Sequence, residues 1–212
     1  MISFIVPTLW KSNKIFESIK SFKETNIPNS EFIIIDNSNS DFEDDRIICL
    51  KQTENIGVNP AWNLGVRTAK NDLICLLNDD ITFNFRTLNT NLTTVKTMST
   101  DCIIGFDANQ NFSDELNEDL EVLKFKLAPC RSLGFGCMMI LSKKNYIYID
   151  ERMKTWCGDD LIYWWNRDKH QRIIYNMPNF KTTGDLSITS KNYESTMHPE
   201  VDIFQEVVNS LQ

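Results

Sequence analysis

Short apolar runs alternate with stretches of helical spacing through the first eighty residues. Ser3–Val6 predicts a strand closed by Pro7. Phe32-Ile33-Ile34-Ile35 is continuous and rich in β-branched residues, as a strand covered on both faces should be. Ile47–Leu50 and Leu73–Leu77 predict two more strands. Between them, Ile15, Ile19 and Phe22, with Phe16 alongside, form a helical stripe behind the cap residues Ser12 and Asn13. Asn59-Pro60 supplies a cap and a first-turn proline for a helix through about Ala69.

This strand–helix alternation predicts an α/β fold: a mainly parallel sheet with helices on both faces. Ligands of such sheets bind beyond the carboxyl ends of the strands. The polar clusters fall there: Pro7-Thr8, Asp36-Asn37 and Asn78-Asp79-Asp80.

The second half is less regular. Residues 107–121 are acidic and read as an exposed loop. Leu133–Leu141 predicts a strand in which Gly134 and Gly136 let something approach the backbone closely. Asp159 to Asp168 predicts a helix, Arg172–Tyr175 a strand, and Val201–Val208 a closing helix. No repeat or linker separates the halves, so 1–212 reads as a single domain. Its regular first half runs over about 1–105 and its less regular second half over about 106–212.

Composition narrows the classes. At 212 residues, 42% hydrophobic and 24% charged, the chain is an ordinary globular one. Its formal charge of −7 argues against a nucleic-acid partner, which calls for a basic face. No apolar run approaches the ~20 residues of a membrane span. The N-terminus lacks the basic and apolar stretches of a signal peptide, so a soluble, cytoplasmic protein is expected. Cys49, Cys75, Cys102, Cys130, Cys137 and Cys157 include no CxxC pair and read as buried free thiols.

Several residues could carry chemistry. Adjacent carboxylates at a strand end suit Mg²⁺ or Mn²⁺, hard cations that take oxygen ligands, although Asn78-Asp79-Asp80 reads equally well as a surface turn. Asp36 could accept from a base N–H or ribose hydroxyl, or could close an Asx-turn. Gly158-Asp159-Asp160 opens a predicted helix beside Trp156, Trp164 and Trp165; its carboxylates could cap the helix or act as a general base. His198 is a candidate late metal ligand, whereas His170 reads as solvated. No Walker loop and no GxGxxG is present.

Taken in order, Phe4-Ile5-Val6-Pro7-Thr8, Ile34-Ile35-Asp36-Asn37-Ser38-Asn39-Ser40-Asp41, Glu54-Asn55-Ile56-Gly57, Ala61-Trp62-Asn63-Leu64-Gly65-Val66 and Leu76-Leu77-Asn78-Asp79-Asp80-Ile81 resemble GT-A fold glycosyltransferases of the family 2 type. Ile149-Asp150-Glu151-Arg152 with Gly158-Asp159-Asp160 is similar to that family's later segment. The resemblance covers roughly residues 2–168. It implies a metal-dependent enzyme moving a hexose or deoxyhexose from a UDP- or dTDP-sugar, of the UDP-glucose or UDP-rhamnose type, to a glycan or glycoprotein hydroxyl, with inversion.

Carried over by position, Pro7, Thr8, Asp36, Asn55, Asn63, Arg67, Asn78 and Asp79 would serve the donor nucleotide. Asp80, with His198, would hold Mn²⁺ or Mg²⁺. Asp160, with Asp159 beside it, would be the base, and Trp156 and Gly136 would face the acceptor sugar. Asn78 replaces the first Asp of the DxD motif, and Asp-Asn-x-Ser-x-Asp follows the second strand, both as in rhamnosyltransferase-like members. A histidine expected near Thr182-Thr183-Gly184 is missing. The short chain also resembles compact glycosyltransferase domains of large DNA viruses, including chlorella-virus enzymes, which would place it in a host cytoplasm. Two other readings remain: a nucleotidyltransferase acting on a sugar phosphate, and a non-catalytic sugar-binding module with this fold.

Overall fold

The computed structural model describes residues 1–106, 122–128, 130, 135–175, 177, 181–182 and 193–212. The strands are β1 (Ser3–Thr8), β2 (Glu31–Asp36), β3 (Ile48–Lys51), β4 (Leu73–Leu77), β5 (Ile81–Thr82), β6 (Ile104–Phe106), β7 (Phe125–Leu127), β8 (Met138–Ser142), β9 (Arg172–Ile174) and β10 (Lys181–Thr182). The helices are α1 (Lys14–Thr25), α2 (Val58–Thr68), α3 (Phe85–Thr90), α4 (Leu92–Ser99), α5 (Gly158–Trp165) and α6 (Tyr193–Ser210).

One sheet carries both halves of the chain, in the order β3-β2-β1-β4-β8-β6-β9-β7. β3, β2, β1 and β4 are mutually parallel. β8 runs antiparallel to both β4 and β6, so the second half is mixed. The small β5–β10 pair lies just beyond β4, with Thr182 opposite Ile81. The expected acidic loop 107–121, with Gly134 and Thr183-Gly184, lies outside the described residues.

Alternation along the central strands builds two cores. Phe4, Phe32, Ile34, Cys75 and Leu77 face one side with Phe22 of α1 and Phe85 of α3. Ile5, Ile33, Ile35, Ile74 and Leu76 face the other, under Trp62 and Val66 of α2 and Leu161 of α5. Period-two side-chain alternation makes this division automatic. Gly65 lets α2 settle onto the sheet, because a Cβ there would collide with Ile5.

Three expectations shift. β1 continues through Pro7 to Thr8 rather than stopping at the proline. The Thr8 carbonyl accepts from Asn37 N on the β2 side, so Pro7 turns its nitrogen the other way, where the β4 pairing has already ended at Ile5–Leu76. Gly136 sits in a 3-10 turn, Phe135–Cys137, and the strand begins only at Met138. None of the six cysteines forms a disulfide, but only Cys75 and Cys102 are buried, and Cys130 is exposed. Two helices, α3 and α4, had no counterpart in the sequence pattern, although Asn84 caps α3 by accepting from Arg86 N and Thr87 N. Among the described residues, no helix is long and apolar enough to cross a membrane.

Candidate active site

The parallel registers bring the polar strand ends into one row. Thr8 pairs with Asp36 at the last step of the β1–β2 ladder. Thr8 Oγ1 then donates to Asp79 Oδ2 at 2.7 Å and accepts from Trp10 N at 2.8 Å. Burial pushes the Asp79 carboxyl up, against the Thr8 and Leu9 hydrogen bonds that favour its charge. On the opposite side, Asn78 N donates to the Cys137 carbonyl at 3.0 Å. The 78–80 turn is therefore held from β1 and from the 3-10 turn. Asp80 follows, its Oδ1 shielded from solvent, and β5 starts at the next residue.

Asp159 reaches this rim through Gly136. A Cβ on Gly136 would collide with the Asp159 carboxylate, so only glycine permits the approach that the sequence anticipated. Asp159 and Asp160 occupy the first turn of α5, where the helix dipole favours negative charge. Cys157, in the left-handed region at φ 61°, turns the chain into that helix.

Asp36 serves its own loop. Its Oδ1 accepts from Ser38 N and Ser38 Oγ, both at 2.9 Å, and its Oδ2 from Ser40 N at 2.7 Å and Ser40 Oγ at 2.6 Å. Two bonds to each oxygen fill the carboxylate's acceptor sites. Burial pushes its pKa up, but the Ser40 and Ser38 bonds together outweigh it and hold the carboxyl below its ordinary value. The Asp-Asn-x-Ser-x-Asp motif is thus a self-supporting turn, and an Asp36 contact to a base or ribose would have to break it.

Other expected donor residues sit elsewhere. Arg67 lies in the last turn of α2, about 13 Å along the helix from its start at 1.5 Å per residue, away from the strand ends. There it approaches Glu151 at 3.9 Å and covers the Tyr148 ring at 5.8 Å, so it does not face a diphosphate at the rim. Asn63 is buried, donating to Ile149 O at 2.7 Å and accepting from Ile149 N at 3.0 Å and Tyr146 Oη at 2.8 Å. Its amide holds the 146–149 segment rather than a ligand. Asn55 is exposed and accepts from Gly57 N at 3.0 Å. Pro7 is buried within β1.

His198 is also displaced. Glu200, Ile203, Phe204, Val207 and Val208 form the face of α6 turned to the protein. His198 stands about 200° around the helix from Glu200, at 100° per residue, and is exposed. Among the described residues, no group of three or more His, Cys, Asp or Glu could hold a metal alone. The residues that would hold a hard cation here are the carboxylates of the 78–80 turn, where Asp79 accepts one bond from Thr8 through Oδ2. That fits ions which take one or two carboxylates and complete their shell with phosphate oxygens and water.

Sequence reasoning missed the stitching between the halves. Asn59 Nδ2 donates to Met153 O at 3.1 Å and Trp156 O at 2.8 Å, and Asn59 N donates to Lys154 O at 3.1 Å. Gly57, at φ +92°, lies so close to Lys154 that no Cβ fits. Asn37 Nδ2 donates to Gly57 O at 3.3 Å. The residues were visible, but a cap asparagine carries no sign of a partner nearly a hundred positions away.

A family profile described as glycosyl transferase family 2 matches residues 3–121. Among solved structures, the chain is similar to S. aureus TarS 1-349, with a TM-score of 0.60 and 14% identity over 86% of this chain and 60% of that one. The similarity to a longer S. aureus TarS structure has a TM-score of 0.61 and 13% identity, over 92% of this chain and 38% of that one. The 1-349 form in complex with UDP-GlcNAc gives 0.59 and 13%, over 87% and 59%. This chain thus spans well under two thirds of the TarS chains, and at such identities the likeness shows the fold. The search of curated proteins finds no match.

Proposed function

The chain belongs to glycosyl transferase family 2, matched over residues 3–121, and from that premise we propose that it moves a hexosyl or deoxyhexosyl unit from a UDP- or dTDP-sugar to a hydroxyl of a glycan or glycoprotein acceptor. We further propose that a divalent cation assists and that the anomeric carbon inverts. Family membership is what the match shows; the transfer itself, with its donor, acceptor, metal and stereochemistry, is the proposal. Its first half would hold the donor and its second the acceptor and base.

The observation that carries the reading is the anchoring of the 78–80 turn from both sides, by Thr8 on Asp79 and by Cys137 on Asn78. Asp80, next in the same turn, would hold Mn²⁺ or Mg²⁺. Such an ion, when bound, supplies neutralisation of the charge on a nucleoside-diphosphate leaving group. Thr8 and the 36–40 turn stand at the same strand ends and would line the donor, and Asn78 would add a side-chain amide. The S. aureus TarS complexes with UDP and UDP-GlcNAc support a nucleotide-sugar donor by likeness of fold.

Asp160, assisted by Asp159, would accept the proton of the acceptor hydroxyl as that oxygen bonds to the anomeric carbon and the carbon–phosphate-oxygen bond breaks. A base facing the side opposite the leaving group makes this a single displacement. Trp156 and Gly136 would contact the acceptor sugar. Six cysteines outside any disulfide suit a reducing compartment, and the cytoplasm is the one proposed.

A thermal-shift screen of nucleotide-sugars with and without Mn²⁺ tests the proposal. A specific donor at a hundred times its Kd should stabilise the fold by ~2.7 kcal/mol. If no uridine or thymidine diphosphate sugar raises the melting temperature above the shift given by free sugar, the donor assignment fails.

A further inference from the structure

Glu200 is a buried carboxylate on α6 to which the proposed chemistry gives no role. Its Oε2 accepts from Thr155 N at 2.9 Å and from Trp156 N at 2.6 Å, and its Oε1 from Thr155 N at 3.3 Å. These two amides sit in an irregular segment, where no helix or strand supplies acceptors. The segment ends at the left-handed Cys157, and Asp159 and Asp160 follow at once.

The other side of the segment is gripped by α2. Asn59 Nδ2 takes Met153 O and Trp156 O, while Gly57 and Gly158 pack without room for a Cβ against Lys154 and Asn59. Residues 153–158 are thus clamped between α2, from the donor half, and α6. Ile203, Phe204, Val207 and Val208 seat α6 on the core beneath, which fixes where the Glu200 carboxylate stands. A second tie, Arg152 to Glu206 at 2.9 Å, is solvent-exposed and contributes little.

We infer that Glu200 is a positioning residue for transfer: by holding Thr155 and Trp156 it fixes the first turn of α5 and so the direction of the Asp159–Asp160 carboxylates toward the acceptor. The inference rests on the reading of Asp160 as the base. Charge-assisted bonds to two backbone amides are strong, and a displacement of ~1 Å at a reacting group can cost about a hundredfold in rate. Donor binding is assigned to β1, β2 and the 78–80 turn, whereas the Glu200 carboxylate holds Thr155 and Trp156.

The test compares wild type with E200A and E200Q, D160N serving as the control for the base. Turnover is read as UDP release from UDP-glucose and UDP-GlcNAc with Mn²⁺, per UDP-binding site titrated. E200A should lower kcat about tenfold or more while KM for the donor and Kd for UDP stay within about twofold. E200Q keeps an acceptor oxygen and should recover most of that loss. Hydrogen exchange needs no substrate: in E200A the amides of 155–161 should exchange faster, with β1 and β4 unchanged. Unaltered exchange at 157–161, or a loss of turnover that only tracks lost UDP sites, overturns the positioning role. D160N at wild-type turnover would remove the base reading itself; an inactive D160N beside a fully active E200A would remove only the role of Glu200.

Discussion

Thr8 Oγ1 and Asp79 Oδ2, seventy-one positions apart in the chain, lie 2.7 Å from each other at the carboxyl ends of neighbouring strands. The bond divides the labour in Asn78-Asp79-Asp80. Asp79 is tied to β1, and Asp80 is the metal ligand we propose. Replacing Thr8 by valine keeps the shape and removes the donor, leaving a desolvated carboxylate short of a partner. T8V should lose about 1–3 kcal/mol of stability in urea titration, with weaker UDP binding. Unchanged stability would mean that the bond is incidental.

Asp36 predicts a pH dependence. Its folded pKa lies below the unfolded one, so its stabilisation is complete above the unfolded value and is lost as pH falls through the depressed folded value. D36N should therefore cost about 1–3 kcal/mol at pH 7, and the gap to wild type should narrow in acid. Urea unfolding at neutral pH and near pH 3 checks both the size and the sign.

Gly136 separates binding from turnover. G136A drives a methyl into the Asp159 carboxylate. The expected result is a fall in kcat of about tenfold or more with the fold retained, read by UDP release and by circular dichroism. A fully active G136A would show that Asp159 can move without consequence.

Five phenylalanines, Phe4, Phe22, Phe32, Phe83 and Phe85, pack ring against ring in the core of the first half. Phe85 meets Phe4 at 5.1 Å and Phe22 at 6.0 Å between ring centroids, and is fully buried. F85A should cost about 3–5 kcal/mol in chemical denaturation. A cost below about 1 kcal/mol would show that the space collapses around the missing ring.

The donor half was largely legible. Phe32–Ile35 and Leu73–Leu77 are apolar throughout because both sheet faces are covered, and the polar residues after them mark strand ends. Asp159 against Gly136 was half legible, since the glycine announced a close approach without naming what approaches. Arg67 misled because a helix position says nothing of which end of the sheet it reaches; nine residues of helix carry it to the far edge. His198 misled because the helical stripe of α6 shows its buried face only once Glu200 is seen to be buried. Glu200 itself could not be read at all: its partners are backbone amides, which leave no trace in side-chain pattern. The short strands β6 and β7 carry too few residues for their periodicity to speak, whereas β9 falls within the strand read at Arg172–Tyr175.

The central claim is that Asp80 and the anchored 78–80 turn make a cation-assisted site for a nucleoside diphosphate. Calorimetric titration of UDP into wild type and D80A, each with Mn²⁺ and with EDTA, tests it most directly. Binding to wild type should be tightened by Mn²⁺ about tenfold or more, a difference of about 1.4 kcal/mol, and D80A should lose that gain while melting as a folded protein. UDP affinity that ignores both the metal and the loss of Asp80 would contradict the account.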